Sequence, residues 1–211
     1  MYISRHMTKK PLTVTSEMSL PEARRLLNEN HFRHLPVVDR DGQLVGMITD
    51  RDLRSAYPSS MLTESERLPA YERVERATVA DIMSTECVGL TPESTLDDAL
   101  FLFDRDRVGA LPVLENGRVV GIFSNRDLLA AYKELFGVGE KGSVLLGIED
   151  DGQAGLMTRI VTLLERHEIP FTRLLRIHNG EKGNRIYLRL NTFKIASVVN
   201  LLREAGIRPA L

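Results

Sequence analysis

The chain has 211 residues, 43% of them hydrophobic and 27% charged, the balance of an ordinary soluble protein with material for one large core or two smaller ones. Its 28 basic and 29 acidic residues leave a net charge of −1, which builds no broad positive field and sets nucleic acid aside as a partner. No apolar run approaches the ~20 residues of a membrane span, the opening "MYISRHMTKK" has no apolar h-region, and the single cysteine, Cys87, excludes an internal disulfide; a cytoplasmic protein with no membrane partner is expected.

Taken in chain order, the sequence repeats itself. "SRHMTKKPLTVT" (4–15) is answered by "DIMSTECVGLT" (81–91), "SLPEARRLLNENHFRHLPVVD" (19–39) by "TLDDALFLFDRDRVGALPVLE" (95–115), and "DGQLVGMITDRDL" (41–53) by "NGRVVGIFSNRDL" (116–128). The offset is 76 up to the Pro36/Pro112 pair and 75 after it. Each copy starts with a short helical lead-in ending at Met7 or Met83, followed by a short strand, "PLTV" or "CVGL". Ser19 or Thr95 then caps a helix carrying Ala23, Leu26 and Leu27, or Ala99, Leu100 and Phe103, at helical spacing. A strand, "HLPVVD" or "ALPVLE", turns through Asp-Gly or Asn-Gly into "QLVGMIT" or "RVVGIFS", a hairpin signal, and a second helix opens at Thr49 or Ser124. The unit is β-α-β-β-α and two copies should pack together, because one buries too little alone. Residues 1–56 form the first copy and 79–134 the second; the polar stretch 57–78 connects them and is read as partly helical.

Residues 135–142 link to a third region, 143–211. "SVLLGIED" reads as a strand, and "GLMTRIVTLLERHEI" puts Leu156, Ile160, Leu163 and Leu164 on one helical face. "FTRLLRIHN" and "NRIYLRLN" form a hairpin around "NGEKGN"; "FKIASVVNLLREAG" is a second amphipathic helix with Gly206 at its C-cap, and "IRPAL" offers a further strand. The region is a small α+β sandwich.

The repeated words "GMITDRDL" and "GIFSNRDL" carry the chemistry. Locally, Thr49 with Asp52 and Ser124 with Asp127 are [ST]-x-x-[DE] capping boxes, which need no ligand. The same residues suit a nucleoside phosphate. A helix start favours phosphate, the hydroxyl can donate to it, the carboxylate can accept from both hydroxyls of a ribose, and Arg51 or Arg126 can add charge.

The twin pattern h-P-V-h-x-x-x-G-x-h-h-G-h-h-[ST]-x-x-D, led by "HMT" and "IMS", resembles a tandem CBS-domain pair (a Bateman module) over nearly all of residues 1–132. The resemblance implies a pseudo-twofold, homodimeric regulatory module that binds AMP, ADP, ATP or another adenosyl ligand, with no obligatory cofactor. It implies one cleft built from Pro11, Leu12, Thr13, Arg33, His34, Leu35, Pro36, Thr49, Arg51 and Asp52. The other would use Cys87, Val88, Gly89, Arg107, Leu111, Pro112, Ser124, Arg126 and Asp127. Arg33-His34 beside the first site answers Gly109-Ala110 beside the second, so the sites are expected to differ there. Residues 143–206 resemble an ACT domain through Gly155, Met157 and Ile160, with Ala154 where a Pro is usual. That likeness implies a ferredoxin-like βαββαβ fold, side-by-side dimerisation, and amino-acid binding at a loop containing Asp151, Gly155 and Leu156. The whole order is similar to the acetoin-utilisation protein B family.

Rival motifs fail on context. "GVGEKG" (137–142) follows a helix and precedes a strand, the reverse of a dinucleotide fingerprint, and reads as a linker. "HFRH" (31–34) places a guanidinium beside two histidines, a poor setting for a metal, and no metal is expected. Cys87 has no nucleophile's companions, and no P-loop, Gly-x-Ser-x-Gly or H-E-x-x-H occurs, so a regulator rather than an enzyme is expected; the alternative is a dimerising scaffold in which the words are only caps.

Overall fold

In the computed structural model, which describes residues 1–59, 61–178 and 183–210, neither repeat is closed on itself: each lends its leading strand to the other. The chain divides into two units, residues 1–131 and 132–211. In the first, a 3-10 turn at Ile3–Arg5 precedes β1 (Thr8–Lys9), α1 (Leu20–Asn30), the hairpin β2 (His34–Val38) and β3 (Leu44–Thr49), and α2 (Asp50–Ala56). After α3 (Glu64–Arg76) the pattern returns: a 3-10 turn at Val79–Asp81, α4 (Leu96–Asp106), β4 (Ala110–Glu115), β5 (Arg118–Ser124) and α5 (Asn125–Leu135).

Local chemistry explains these boundaries. Ser19 Oγ accepts from Glu22 N at 3.4 Å, and Thr95 and Asp98 form a reciprocal capping box. Gly42 and Gly117 both turn their hairpins at φ +79°, which an L side chain rarely adopts. Ala23 and Leu27, and Ala99 and Phe103, face the core as the spacing predicts; Leu100 instead lies 47% exposed.

β1 pairs with β5 of the other copy (Thr8 with Ile122), and the equivalent Ser84 bridges Met47 in β3. Tyr2 bridges Thr95 while its counterpart Thr78 bridges Ser19, and the equivalent residues Gln43 and Arg118 bridge each other. This exchange is the pseudo-twofold axis written in hydrogen bonds. It also corrects the leading strand, expected at "PLTV" and "CVGL": those stretches make only single parallel bridges, Val14 to Val37 and Leu90 to Val113. In the first copy, Lys10 at φ +49° and Pro11, which has no N–H, break the extended run after β1.

The exchange extends to packing. Val79, from the second copy's lead-in, is buried in the first copy's core with Leu20, Leu27, Leu35 and Ile48. Val74 of α3 joins the same core, so the stretch between the repeats is a packed helix as well as a connection. Its start, a Thr63–Glu66 capping box, is itself an [ST]-x-x-[DE] signal.

The second unit runs β6 (Ser143–Glu149), α6 (Leu156–Arg166), β7 (Phe171–Ile177), β8 (Arg185–Asn191), α7 (Ile195–Glu204) and β9 (Pro209–Ala210). The sheet order is β7-β8-β6-β9, with each neighbouring pair antiparallel. Leu146, Ile148, Ile186 and Leu188 point to one face, where Ile160, Leu164, Val198 and Leu202 of the two helices cover them. α7 ends in a Schellman motif: Gly206, at φ +73°, donates to Arg203 O and Ile207 N to Leu202 O. The β7–β8 hairpin forms as expected; turn residues 179–182, and Leu211 of the last strand, lie outside the described residues. "GVGEKG" lies between α5 and β6, within the second unit.

Candidate functional site

Each repeated word ends a strand and starts a helix. Asp52 Oδ2 accepts from Thr49 N at 2.9 Å and from Thr49 Oγ1 at 2.7 Å, while Asp52 N donates to Thr49 Oγ1 at 3.2 Å. The second copy is the same: Asp127 Oδ2 takes Ser124 N at 2.8 Å and Ser124 Oγ at 2.6 Å. Both words are therefore complete helix caps. This corrects one expectation, since each hydroxyl's single proton is committed to its carboxylate and is not available to a phosphate. The second oxygen, Oδ1, of Asp52 and of Asp127 has no hydrogen-bond partner among the described residues and can accept from a ligand hydroxyl.

Two clefts open beside these carboxylates, of about 1080 Å³ at Asp52 and about 690 Å³ at Asp127, both of the size that holds a small ligand. The structure regroups the expected site residues. The Asp52 cleft brings Thr49 and Arg51 together with Cys87, Val88, Arg107, Leu111 and Pro112, which were expected in the other site. The Asp127 cleft brings Ser124 and Arg126 together with Pro11 and Leu12. Strand exchange is the cause: the chain leaving each copy's leading strand passes the partner copy's cap. Thr13, Leu35, Pro36 and Gly89 line neither cleft. Leu35 and Pro36 are buried, and Gly89 backs onto Leu114 and the Pro112 carbonyl.

Arg33, His34, Gly109 and Ala110 line both clefts, forming their common wall. The expected difference between an Arg-His site and a Gly-Ala site is thus absent: both clefts see both pairs. A Cβ on Gly109 would sit 2.8 Å from His34 Nε2, so only glycine lets the imidazole lie there. Burial pushes the His34 pKa down; Asp50 and Asp52 act upward, Arg33 and Arg51 downward. Burial pushes the Cys87 thiol up, and its Sγ donates to Ser84 O at 3.2 Å, the behaviour of a lining residue rather than a nucleophile.

Residues not assigned to a cleft from the sequence complete them: Asp50, Arg54, Glu86 and Asp106 on one side, Lys10, Asn125 and His31, weighed only as a metal ligand, on the other. The repeat alignment pairs Lys10 with Glu86 and Asn125 with Asp50, so the signal was present once the crossing of the segments is known. In the second unit Gly155 begins α6 at φ +83°, Asp151 Oδ1 accepts from Gln153 N at 2.9 Å, and Leu156 points into the core, away from any loop ligand. The Arg176 guanidinium holds the Asp150 carboxyl below its ordinary range. Among the described residues no cluster of His, Cys, Asp or Glu is placed to hold a metal, and no helix is long and apolar enough to cross a membrane.

The sequence model of the CBS domain matches residues 3–59 and 79–134. A CBS domain-containing protein of Dictyostelium discoideum is 39% identical over 124 residues, covering 58% of this chain and 85% of that one. A Vibrio cholerae structure named for acetoin utilization (AcuB) shares the fold, with TM-score 0.55 and 24% identity over 66% of this chain and 96% of that one. The protein CBSX2 in complex with AMP matches with TM-score 0.54 and 25% identity, over 64% and 98% of the two chains. The CBS domain pair of protein MJ0100, in complex with 5′-methylthioadenosine and S-adenosylmethionine, matches with TM-score 0.53 and 25% identity, over 64% and 98%. With both repeats matched and the exchanged, pseudo-symmetric fold in place, the chain belongs to the CBS domain family.

Proposed function

We propose that this chain is a regulatory sensor of adenosine-containing small molecules, which it binds in the two clefts of its CBS pair. The observation that carries the reading is the pair of clefts, each lined by a capping carboxylate with one oxygen that has no hydrogen-bond partner among the described residues. Asp52 and Asp127 accept the ribose hydroxyls, at on the order of 1.5–3 kcal/mol for each charge-assisted hydrogen bond. Cys87 and Val88, or Pro11 and Leu12, pack against the base. The AMP complex of CBSX2 and the methylthioadenosine and S-adenosylmethionine complex of MJ0100 support this ligand class.

Regulation then follows from differential binding: a ligand that prefers one arrangement of the two repeats shifts the population by no more than its affinity difference. Residues 143–211 act as an ACT-like domain for homodimerisation or amino-acid sensing; the β-α-β-β-α-β order, with β8 between β6 and β7, supports a ferredoxin-like sandwich. The protein works in the cytoplasm and is a regulator rather than an enzyme. Calorimetry of the full chain with AMP, ATP, 5′-methylthioadenosine and S-adenosylmethionine tests the reading; saturable heat from at least one supports it, and silence from all four at sub-millimolar protein refutes it. A second reading, a scaffold that binds none of them, is favoured by one observation: both capping boxes are complete without a ligand. It predicts that silence.

A further inference from the structure

The two clefts are related by the pseudo-twofold axis, yet their charges are not. Setting aside the shared wall, the Asp127 cleft has two cations, Lys10 and Arg126, against the one carboxylate of Asp127. The Asp52 cleft has Arg51, Arg54 and Arg107. Against them stand four carboxylates, Asp50, Asp52, Glu86 and Asp106, of which Asp106 is held by Arg105 from outside the cleft at 2.8 Å, so Asp52 and Glu86 balance Arg51 and Arg107 where the Asp127 cleft keeps one cation in excess. The imbalance sits at equivalent positions: Lys10 on one side is Glu86 on the other, and Asn125 is Asp50. The arginines of the Asp52 cleft are also partly occupied, since Arg54 Nη2 is 2.9 Å from Asp50 Oδ2.

The shared wall sharpens the difference. Arg33 and His34 face both clefts, so an anion held against the Arg33 guanidinium from one side leaves less positive charge for the other. Lys10 and Arg126 belong to the Asp127 cleft alone and draw that anion to it.

We propose that the clefts sort adenosyl ligands by charge: the Asp127 cleft takes a nucleotide with an anionic 5′ phosphate, and the Asp52 cleft takes an adenosine whose 5′ group is uncharged or cationic. This rests on the adenosyl-sensor reading. The occupants of the two clefts are then different molecules, and one chain reads the balance between a phosphorylated and a non-phosphorylated adenosine pool.

Calorimetric titration of the full chain with AMP and, separately, with 5′-methylthioadenosine tests it, using the exposed substitutions Lys10→Asn with Arg126→Gln in one variant and Arg51→Gln with Glu86→Gln in another. Asn tolerates the left-handed backbone at position 10. The first variant weakens AMP about tenfold or more and leaves methylthioadenosine within about twofold. The second leaves tight AMP binding within about twofold. AMP saturates one site with an affinity that falls as salt rises, and methylthioadenosine still binds the AMP-loaded protein. Equal effects of both variants on AMP, or full competition between the two ligands, overturn the sorting while leaving the sensor reading intact. Binding of neither ligand overturns the sorting, and the sensor reading falls with it when ATP and S-adenosylmethionine are silent as well. Circular dichroism of each variant confirms the fold, and a variant that loses it is replaced by Lys10→Gln or Arg126→Gln alone.

Discussion

At the scale of residues, one carboxylate holds two roles at once. Asp127 closes a helix cap with Oδ2 and leaves Oδ1 for a ribose hydroxyl. Ser124→Ala removes the cap's hydroxyl and is expected to cost about 1 kcal/mol in chemical denaturation, with ligand affinity nearly unchanged. Asp127→Ala removes cap and acceptor together; it is expected to cost a similar stability and to weaken the ligand in its own cleft about tenfold. His34 adds a pH dependence of definite sign. Its imidazole is held neutral by burial, so the unfolded chain binds the proton more readily than the folded one. Its contribution is present above the ordinary histidine value near 6.5 and is lost as pH falls through the lowered folded value. The melting temperature should therefore drop from about pH 7.5 to about pH 5.5, and drop less in His34→Gln. An equal drop in the variant removes His34 from the account.

At the scale of elements, local signals and long-range pairing part company. Ser19, Thr95, the Asp41-Gly42 and Asn116-Gly117 turns and the Gly206 stop were all legible, because each is satisfied by neighbours in sequence. The exchange of leading strands was not, because hydrophobic pattern states that a strand has a buried face and never which strand it joins. Grouping the site residues by repeat therefore placed Cys87 and Val88 beside Asp127, when they lie beside Asp52, and Pro11 and Leu12 the other way round. The exchange has a thermodynamic consequence. Ile3, in the first copy's lead-in, is fully buried and its N–H donates to Ser94 O of the other copy at 2.9 Å. Ile3→Ala is expected to cost about 2–5 kcal/mol, as a core position does. A change below about 0.5 kcal/mol, the level of a surface site, contradicts the exchanged packing. Residues 1–56 expressed alone should lack the circular dichroism of a folded unit, since Val79 and Ser84 complete their core and sheet from the other copy.

At the scale of the whole molecule, the sequence repeats fold as a pseudo-symmetric pair whose two sites differ in charge rather than in framework. The second unit leaves one sheet face on which Leu145 of β6 and Leu175 and Ile177 of β7 flank Arg185, Tyr187 and Arg189 of β8, a mixed surface left open for the proposed homodimer. Light scattering on the eluting protein should give twice the 23.8 kDa chain mass; the chain mass alone contradicts the dimer. The central claim is that adenosine binds at the capping carboxylates, and a crystal structure of the full chain grown with AMP tests it most directly. The account predicts ribose hydroxyls within hydrogen-bond distance of Asp127 Oδ1 and the phosphate toward Lys10 and Arg126. Density for AMP that leaves both Asp127 and Asp52 untouched would contradict it.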